Sequence, residues 1–306
     1  MPFVAWQVIS RVLAGASLVG LLAVPTRPPW AAPPVADGFE RPEIDESTWW
    51  LGQMRRSRLW IDRRQTRSGR GALAIRVKQE DRDCNGGCQR NEIRIDKGLR
   101  LRFGEEAWYG FSFKIAGQIS EHGSTRWVIG QWKQDSDGSP FLAQRYDNGV
   151  FHITVQDNDC RILVAQSNGH PDGLRAHRAN VAFANVAFLS DSHLYDCDSD
   201  IRIEHGKAPP ILPDPRAQWV DMLYRVRGGR NGRGLVEIWA NGTFFARVQG
   251  SIGYDDARGP TQYFKIGHYR DPMAADTTLY FDDFRRGDSR GEVERRQGTP
   301  PSPPKS

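Results

Sequence analysis

Three short segments of this sequence carry arginine, glutamine, lysine or tyrosine at alternate positions. They are RNEIR at 90–94, QWK at 131–133 and QYFKIGHYR at 262–270. Because side chains alternate between the two faces of a β-strand, each segment would present one polar and one apolar face. In the third, Tyr263, Lys265 and Tyr269 share the polar face, whereas Phe264 and Ile266 share the apolar face. Cations, an amide and phenols on neighbouring strands could bind an anionic ligand and transfer a proton.

The same alternation puts further polar side chains together on one face of their strands. These are Arg90, Glu92, Arg94, Gln131, Lys133, His152, Thr154 and Gln156. Any one such strand is typical of an antiparallel sheet with a face in water. Tyrosine and arginine, however, are enriched in recognition surfaces. We therefore predict that these strands share one sheet, whose outer face binds a ligand.

Short alternating segments separated by Gly, Asn and Asp predict an all-β fold. The strand candidates are residues 71–79, 90–95, 107–115, 126–134, 140–146, 149–156, 220–228, 234–242, 243–250, 262–270 and 277–287. Asn241 and Gly242 form a hairpin turn signal. We predict a single domain in which two antiparallel sheets pack as a concanavalin-like β-jelly-roll sandwich. Residues 158–218 lack a regular period, and we predict a long loop at the rim of the sheet.

The two ends of the chain differ in composition from the middle. In residues 1–36, Arg11 precedes an apolar run at 12–24 and then small residues and prolines, the pattern of a signal peptide and leader. The run is shorter than the roughly 20 residues of a membrane span, so we favour export over an uncleaved anchor. We predict a folded domain at 37–288, a disordered proline-rich tail at 289–306, and a secreted or periplasmic monomer with no membrane association after signal cleavage.

Four cysteines fit an oxidising compartment. Three pairings are possible, and we predict Cys84 with Cys88 and Cys160 with Cys197. A zinc site is the alternative, because His170, His177 and His193 lie between the later cysteines. It is disfavoured because the sequence has no CxxC pair and no short histidine spacing.

The formal charge of +5 is compatible with a polyanionic partner. Nucleic acid is disfavoured, because the basic residues are dispersed on strands and no helix-turn-helix or RNP-like motif is present. Net charge alone does not distinguish anionic lipid from acidic polysaccharide. The positions of the arginines in the strands are more informative.

The three polar strands resemble the signature strands of jelly-roll polysaccharide lyases, including alginate lyases of that fold, glucuronan lyases and heparin lyase I. Those families have R-x-E-x-R, Q-x-H and Y-x-K-x-G-x-Y strands in this order. The resemblance covers residues 37–287. It implies a jelly-roll lyase that cleaves an acidic, uronate-containing polysaccharide by β-elimination and requires no cofactor.

The resemblance also implies roles for individual residues. Arg90 and Gln131 would neutralise the substrate carboxylate and the enolate that develops from it. Tyr269 matches the catalytic tyrosine, a base as phenolate and an acid as phenol, and Lys265, Arg90 or Arg94 would help it to lose its proton. Glu92 would hold the arginines in place. The predicted substrate-binding residues are Arg94, Glu92, Lys265, Tyr263, His152 and Gln156.

Lys133 departs from the family pattern, which has histidine two residues after the glutamine. Lysine is a poor base at neutral pH unless its pKa is lowered. Three interpretations follow: Lys133 is a catalytic-site residue that only binds substrate, His152 replaces the imidazole, or the protein binds sugar without catalysis. In D-glucuronate and D-mannuronate the C5 hydrogen and the C4 oxygen lie on the same side of the ring, so that one tyrosine can act as base and then as acid. In L-guluronate and L-iduronate they lie on opposite sides, and two groups are required. Loss of the histidine therefore favours a glucuronan-like substrate.

Two other classes of function are compatible with a β-sandwich. A glycoside hydrolase needs two carboxylates at the scissile bond, but the acidic cluster at 43–46 lacks the hydrolase spacing because Thr48 occupies the last position. A noncatalytic carbohydrate-binding protein of the same fold is the stronger alternative. Asp282 and Asp283 are candidates for a structural calcium ion, although carboxylates at a strand end are more often solvated or capping.

Overall fold

The computed structural model describes residues 1, 32–119, 126–135, 138–147, 149–168, 176–177, 194–195, 197–206, 210–255 and 259–294. The strands are β1 Val35–Asp37, β2 Trp49–Gln53, β3 Leu59–Asp62, β4 Ala72–Val77, β5 Gln89–Ile95, β6 Leu101–Arg102, β7 Ala107–Gly117, β8 Trp127–Gln134, β9 Leu142–Asp147, β10 Val150–Asp157, β11 Cys160–Gln166, β12 Ala176–His177, β13 Leu194–Tyr195, β14 Arg202–His205, β15 Val220–Arg227, β16 Gly229–Ala240, β17 Thr243–Ile252, β18 Thr261–Arg270 and β19 Thr277–Gly287. Short 3₁₀ turns occur at Arg56–Arg58, Cys84–Gly86 and Lys97–Leu99, and helix α1 spans Arg290–Val293. Within these described residues no helix has the length and apolar character needed to cross a bilayer.

Two large antiparallel sheets form the fold. The first has the order β14-β17-β16-β15-β7-β19-β4-β3, with β1 also paired to β19. The second has the order β11-β10-β9-β8-β18-β5-β2, with β6 also paired to β18. A small parallel pair, β12 and β13, lies outside both. The predicted two-sheet jelly-roll sandwich is therefore confirmed.

The core fills the space between the two sheets with aromatic side chains. Trp132 on β8 and Phe264 on β18 have ring centroids 4.6 Å apart, and Trp132 also meets Tyr224 of the opposite sheet at 4.7 Å. Phe113 and Phe281 stack within the first sheet at 6.3 Å. Since this face of the second sheet is apolar, the alternation of β8 and β18 turns their polar side chains outward.

The central strand predictions agree with the structure to within a few residues. The predicted hairpin is also present, because Asn241 and Gly242 have φ values of 48° and 76° between paired Ala240 and Thr243. The left-handed conformation at both positions suits the two-residue turn that asparagine and glycine favour.

Two parts of the predicted organisation need correction. The proposed long loop at 158–218 contains β11 and β14. In β11 every residue except Arg161 is buried, so the strand lacks the alternation that would have revealed it. The predicted tail at 289–306 begins with α1, which is held by Val293 packed against Leu223 and Trp239. The apolar run of the predicted signal peptide lies outside the described residues.

Candidate active site

A cavity of about 570 Å³ lies on the outer face of the second sheet. Its lining combines cations with tyrosine and small polar groups: Gln53, Arg90, Arg94, Arg126, Val128, Gln131, Lys133, Asp135, Gly138, Ser139, Pro140, Arg145, Arg161, Tyr263, Lys265 and Tyr269. The three polar segments that are widely separated in the sequence thus converge on one space. The strand order explains the convergence, since β8, β18 and β5 are adjacent.

Strand register arranges the lining in three rows that run across the sheet. The Tyr269 row consists of Arg90, Tyr269, Val128 and Arg145 on β5, β18, β8 and β9. The Lys265 row consists of Arg94, Lys265 and Gln131. The Tyr263 row consists of Tyr263 and Lys133. Directly opposed side chains on paired strands lie within about 5.5 Å at Cβ, so neighbouring members of a row can act on one sugar ring.

Glu92 lies beneath the cavity floor and accepts hydrogen bonds from donors of the first two rows. Its Oε2 accepts hydrogen bonds from Arg90 Nε at 2.7 Å and Lys265 Nζ at 3.1 Å. Its Oε1 accepts one from Gln131 Nε2. Gln53 Oε1 accepts from Arg90 Nη2 at 2.8 Å and from Lys265 Nζ at 2.9 Å. The network fixes donors from three strands before any ligand arrives, which is the arrangement that stabilises developing negative charge best.

Lys265 is a buried cation at the floor of the cavity. Its side chain is 2% exposed, and Glu92 beside it is 1% exposed. Burial lowers the pKa of Lys265 to about 8, with Arg90 and Lys133 adding to the effect and Glu92 opposing it. In most molecules Lys265 is therefore protonated at neutral pH, and it loses its proton at mildly alkaline pH.

Tyr269 is flanked by two guanidinium groups. The Arg126 Cζ lies 4.5 Å from the centroid of its ring and the Arg90 Cζ lies 5.1 Å from it. Arg126 is held by an ion pair with Asp271, with Nη2 to Oδ1 at 2.9 Å. The ring is half-buried, so its position is restricted by contacts with charged neighbours.

Gly267 sits between Lys265 and Tyr269 in a conformation that other residues rarely adopt. Its φ is +130°, and a Cβ atom there would lie 2.3 Å from the carbonyl oxygen of Asn91. The pairing of β18 with β8 is irregular between Ile266 and Tyr269. The glycine therefore allows the close approach of β5 that puts Tyr269 opposite Arg90.

Arg94 lies at the other side of the floor between two aromatic rings. Its Cζ is 3.8 Å from the centroid of Trp50 and 5.2 Å from that of Tyr263. Burial raises the pKa of Tyr263, against the opposing effect of Arg94. Tyr263 is thus a neutral phenol over a wide pH range, suited to donating a hydrogen bond.

Most residues predicted for the site line the cavity. Seven do so: Arg90, Arg94, Gln131, Lys133, Tyr263, Lys265 and Tyr269. Glu92 lies beneath the floor and bonds Arg90, in line with a holding role. The catalytic and binding roles stay predictions.

His152 and Gln156 lie on the expected face of β10 but do not line the cavity. His152 is 0% exposed, its Nδ1 lies 3.1 Å from the carbonyl oxygen of Val150, and burial lowers its pKa to about 3. Gln156 is buried and donates to the carbonyl oxygen of Asn158. The structure therefore brings no imidazole from β10 to the cavity, and the prediction that these two residues belong to the site is corrected.

Sequence reasoning missed six polar residues of the lining: Gln53, Arg126, Asp135, Ser139, Arg145 and Arg161. Arg126 shares a face with Val128, but an irregularity between Val128 and Gly130 shifts the alternation before Gln131. A strict count back from Gln131 therefore puts Arg126 on the wrong face.

The predicted disulfide pairing, Cys84 with Cys88 and Cys160 with Cys197, is confirmed. Pairing removes these thiols as zinc ligands, and the side chains of the three histidines of the zinc alternative lie outside the described part of the chain. Disulfides are typical of oxidising compartments; export itself stays a prediction.

Asp282 does not offer the surroundings of a calcium ligand. It is 0% exposed, and its Oδ2 accepts hydrogen bonds from the backbone N–H groups of Arg67 and Ser68 at 2.8 and 3.0 Å. Asp283 Oδ1 accepts from the hydroxyl of Ser68. Calcium prefers six to eight oxygen ligands, whereas N–H donors occupy this carboxylate. The residues present do not fit the ion.

Comparisons with known proteins agree with this architecture. A family model described as polysaccharide lyase matches residues 42–285. Among solved structures, the chain is similar to a variant of the family 7 alginate lyase A1-II′ in complex with substrate, with 12% identity, 83% of this chain and 97% of that chain covered, and a TM-score of 0.50. It is also similar to endo-β-1,4-glucuronan lyase from the fungus Trichoderma reesei, with 14% identity, coverage of 86% and 94%, and a TM-score of 0.49. No curated protein matches the sequence.

Proposed function

Since this chain belongs to the polysaccharide lyase family and is an enzyme of that type, we propose that it cleaves a glucuronan-like acidic polysaccharide by β-elimination, with Tyr269 as base and acid. The observation that carries the proposal is the convergence of Arg90, Gln131, Lys265 and Tyr269 on one cavity. These groups come from three strands and supply both charge stabilisation and a proton-transfer group.

The first task of such an enzyme is to make the C5 hydrogen of a uronate removable. Arg90, Lys265 and the amide of Gln131 would bind the carboxylate at C6 and stabilise the negative charge that spreads onto it as the proton leaves. Their shared acceptor Glu92 holds all three in place. The donors need no reorganisation during the reaction, which is the main source of electrostatic catalysis.

The second task is proton transfer. The phenolate of Tyr269 takes the C5 proton, the electrons of the C5–H bond form a C4=C5 double bond, and the bond between C4 and the glycosidic oxygen breaks. The phenol then returns the proton to the leaving oxygen. One residue can perform both transfers when hydrogen and oxygen lie on the same side of the ring. This geometry favours a uronate of the same-side type, D-glucuronate or D-mannuronate, since no imidazole lies across the cavity from Tyr269 in the described residues.

Lys133 fits a binding role in this scheme. It faces Tyr263 on β18 and lies one row beyond Gln131. Its ammonium group therefore lines the cavity beside the reacting sugar rather than over Tyr269. A lysine at this position supplies positive charge for the polymer, whereas proton transfer is assigned to the tyrosine.

The test is turnover by the purified protein on glucuronan, alginate, hyaluronan and heparin-type chains, followed by the ultraviolet absorbance of the unsaturated uronate. We expect product from glucuronan, and loss of at least a hundredfold in kcat for Tyr269→Phe. Tyr280→Phe, on the other sheet, is the matched control and should keep wild-type activity. Full activity of Tyr269→Phe would refute the mechanism, and binding without product would indicate a noncatalytic carbohydrate-binding protein.

A further inference from the structure

A second cavity, of about 880 Å³, lies at one end of the sandwich. Its lining includes the last residues of β6, β8 and β15 and the first residue of β16, which are Arg102, Gln134, Arg227 and Gly229. The described linings of this cavity and of the candidate active site have no residue in common. We call this space the end cavity, and the proposed reaction makes no use of it.

The inner wall of the end cavity is aromatic and held in place. Phe103 packs edge-on against Phe141, with ring centroids 5.6 Å apart. On another side its ring lies against Gly228, where a Cβ atom would be only 2.2 Å from it. Tyr254 lines the same space, and its backbone N–H donates to Gln134 Oε1 at 2.9 Å. The two rings therefore offer a fixed surface against which a flat ring can pack.

Positive charge surrounds this aromatic wall. Four arginines line the end cavity, against one carboxylate, Asp255. Asp255 is already paired with Arg230, with Oδ1 to Nε at 2.5 Å. Arg102 and Arg233 are exposed, and neither has an ion pair within the part of the chain that the structure describes. Their guanidinium groups are therefore free to bind the oxygens of an anion.

The described lining is less suited to a sugar than to an apolar ring. Sugar hydroxyls need acceptors as well as donors, and arginine only donates. Gln134 Oε1 already accepts from Tyr254. The two oxygens of Asp255 already accept from Arg230 and Asn158. An apolar ring with one anionic group needs no acceptor, and it matches both the aromatic wall and the arginines.

We propose that the end cavity binds a small organic anion with a planar apolar ring, of the class of aromatic carboxylates and sulfonates. The ring packs on Phe103 and Tyr254, and the anionic group binds Arg102 and Arg233. Pockets of this kind, mostly apolar with a few placed polar groups, are typical of small-molecule sites. The proposal does not rest on the proposed function.

Calorimetry of the purified protein with anilinonaphthalene sulfonate tests the site, because this probe has aromatic rings and one sulfonate group. We expect one-site binding and a Kd about tenfold higher for Arg233→Gln, the loss of one charge-assisted contact. Arg102→Gln should have a similar effect. Arg202→Gln is the matched control, since Arg202 is an exposed arginine of the first sheet, and it should bind as the wild type. Wild-type affinity in both Arg102→Gln and Arg233→Gln would overturn the proposal.

Three further measurements locate the probe. Anilinonaphthalene, which lacks the sulfonate, should bind at least about tenfold more weakly, and equal affinity would refute the role of the arginines. Lys133→Gln, in the candidate active site, should leave the affinity for the probe unchanged. In a Tyr269→Phe background, a glucuronan fragment should not displace the probe. Weaker binding in Lys133→Gln or displacement by the fragment would put the probe in the candidate active site and overturn the proposal. An inactive wild type that loses affinity for the probe through Arg233→Gln would refute the lyase reaction and keep the end cavity as a binding site.

Discussion

Replacement of Glu92 by glutamine should destabilise the protein by an amount that depends on pH. The carboxylate is buried between Arg90, which is 21% exposed, and Lys265, which is 2% exposed. Removing one partner of a buried ion pair costs about 3–5 kcal/mol when the remaining group stays charged. Lys265 can instead become neutral, because its pKa is already about 8. Releasing its proton at pH 7 costs only about 1.4 kcal/mol.

The pH dependence follows from proton binding. Because the folded-state pKa of Lys265 is below its unfolded value of 10.5, the unfolded state binds more protons between about pH 8 and 10.5, and wild-type stability rises with pH there. In Glu92→Gln the lysine is neutral already at pH 7. The loss of stability should therefore be about 1.4 kcal/mol larger at pH 7 than at pH 9.

Urea unfolding of wild type and Glu92→Gln at the two pH values measures this difference. Glu237→Gln is the matched control, since Glu237 is 4% exposed and accepts hydrogen bonds from Arg225 at 3.3 Å and Arg247 at 2.7 Å. Arginine does not titrate in this range, so the control should lose the same free energy at both pH values. An equal loss at pH 7 and pH 9 for Glu92→Gln would refute the assignment of the lysine as the titrating partner.

Three further outcomes are expected. The KM of the wild type for glucuronan should rise above about pH 8, as the ammonium group of Lys265 loses its charge, whereas Lys265→Arg should keep a constant KM to pH 9; parallel profiles would contradict this. Gly267→Ala should lower the free energy of unfolding by about 1–3 kcal/mol or more because its Cβ meets the Asn91 carbonyl; Gly291→Ala, which has open space around it, is the neutral control in thermal unfolding. Burial raises the pKa of Asp282 to about 7, so the folded state binds its proton more tightly and loses stability as pH rises from about 4 to 7; Asp282→Asn should lack this loss, and identical pH profiles in urea unfolding would refute the assignment.

The central strands were predictable from the sequence because each has one face in the core. In β18, Phe264 and Ile266 are 1% exposed, and the polar residues between them mark the other face. Strand β11 gave no such signal, since it is buried on both faces except at Arg161. Its apolar run cannot be distinguished by period from other buried segments.

The candidate site was predictable where alternation holds and missed where it breaks. Arg90, Gln131 and Tyr269 each alternate in step with another predicted polar residue of the same strand, Arg94, Lys133 and Lys265 respectively, and the count of two identifies them. Arg126 was missed because of the irregularity in β8. Gln53 was missed because its hydrogen bond to Arg90 spans 37 positions of sequence and its strand was not recognised.

How deeply a side chain is buried is a separate question from which face of the sheet it lies on. The alternation put His152 on the correct side of β10, yet the residue is 0% exposed. Burial on that side depends on which segments cover the sheet, and a two-residue period contains no information on that coverage.

The pairing of β1 with β19 also determines where the chain enters and leaves the folded domain. Val35 lies directly opposite Arg286, one residue before the end of β19, and α1 packs on the same sheet, so the first and last described elements of the domain both lie on the sheet that does not hold the cavity. A short linker could therefore join them, with new ends opened at the exposed Asn241–Gly242 turn. For the same reason, a surface or a fusion domain attached at either end would leave the cavity side of the domain open, which suits the enzyme to immobilisation.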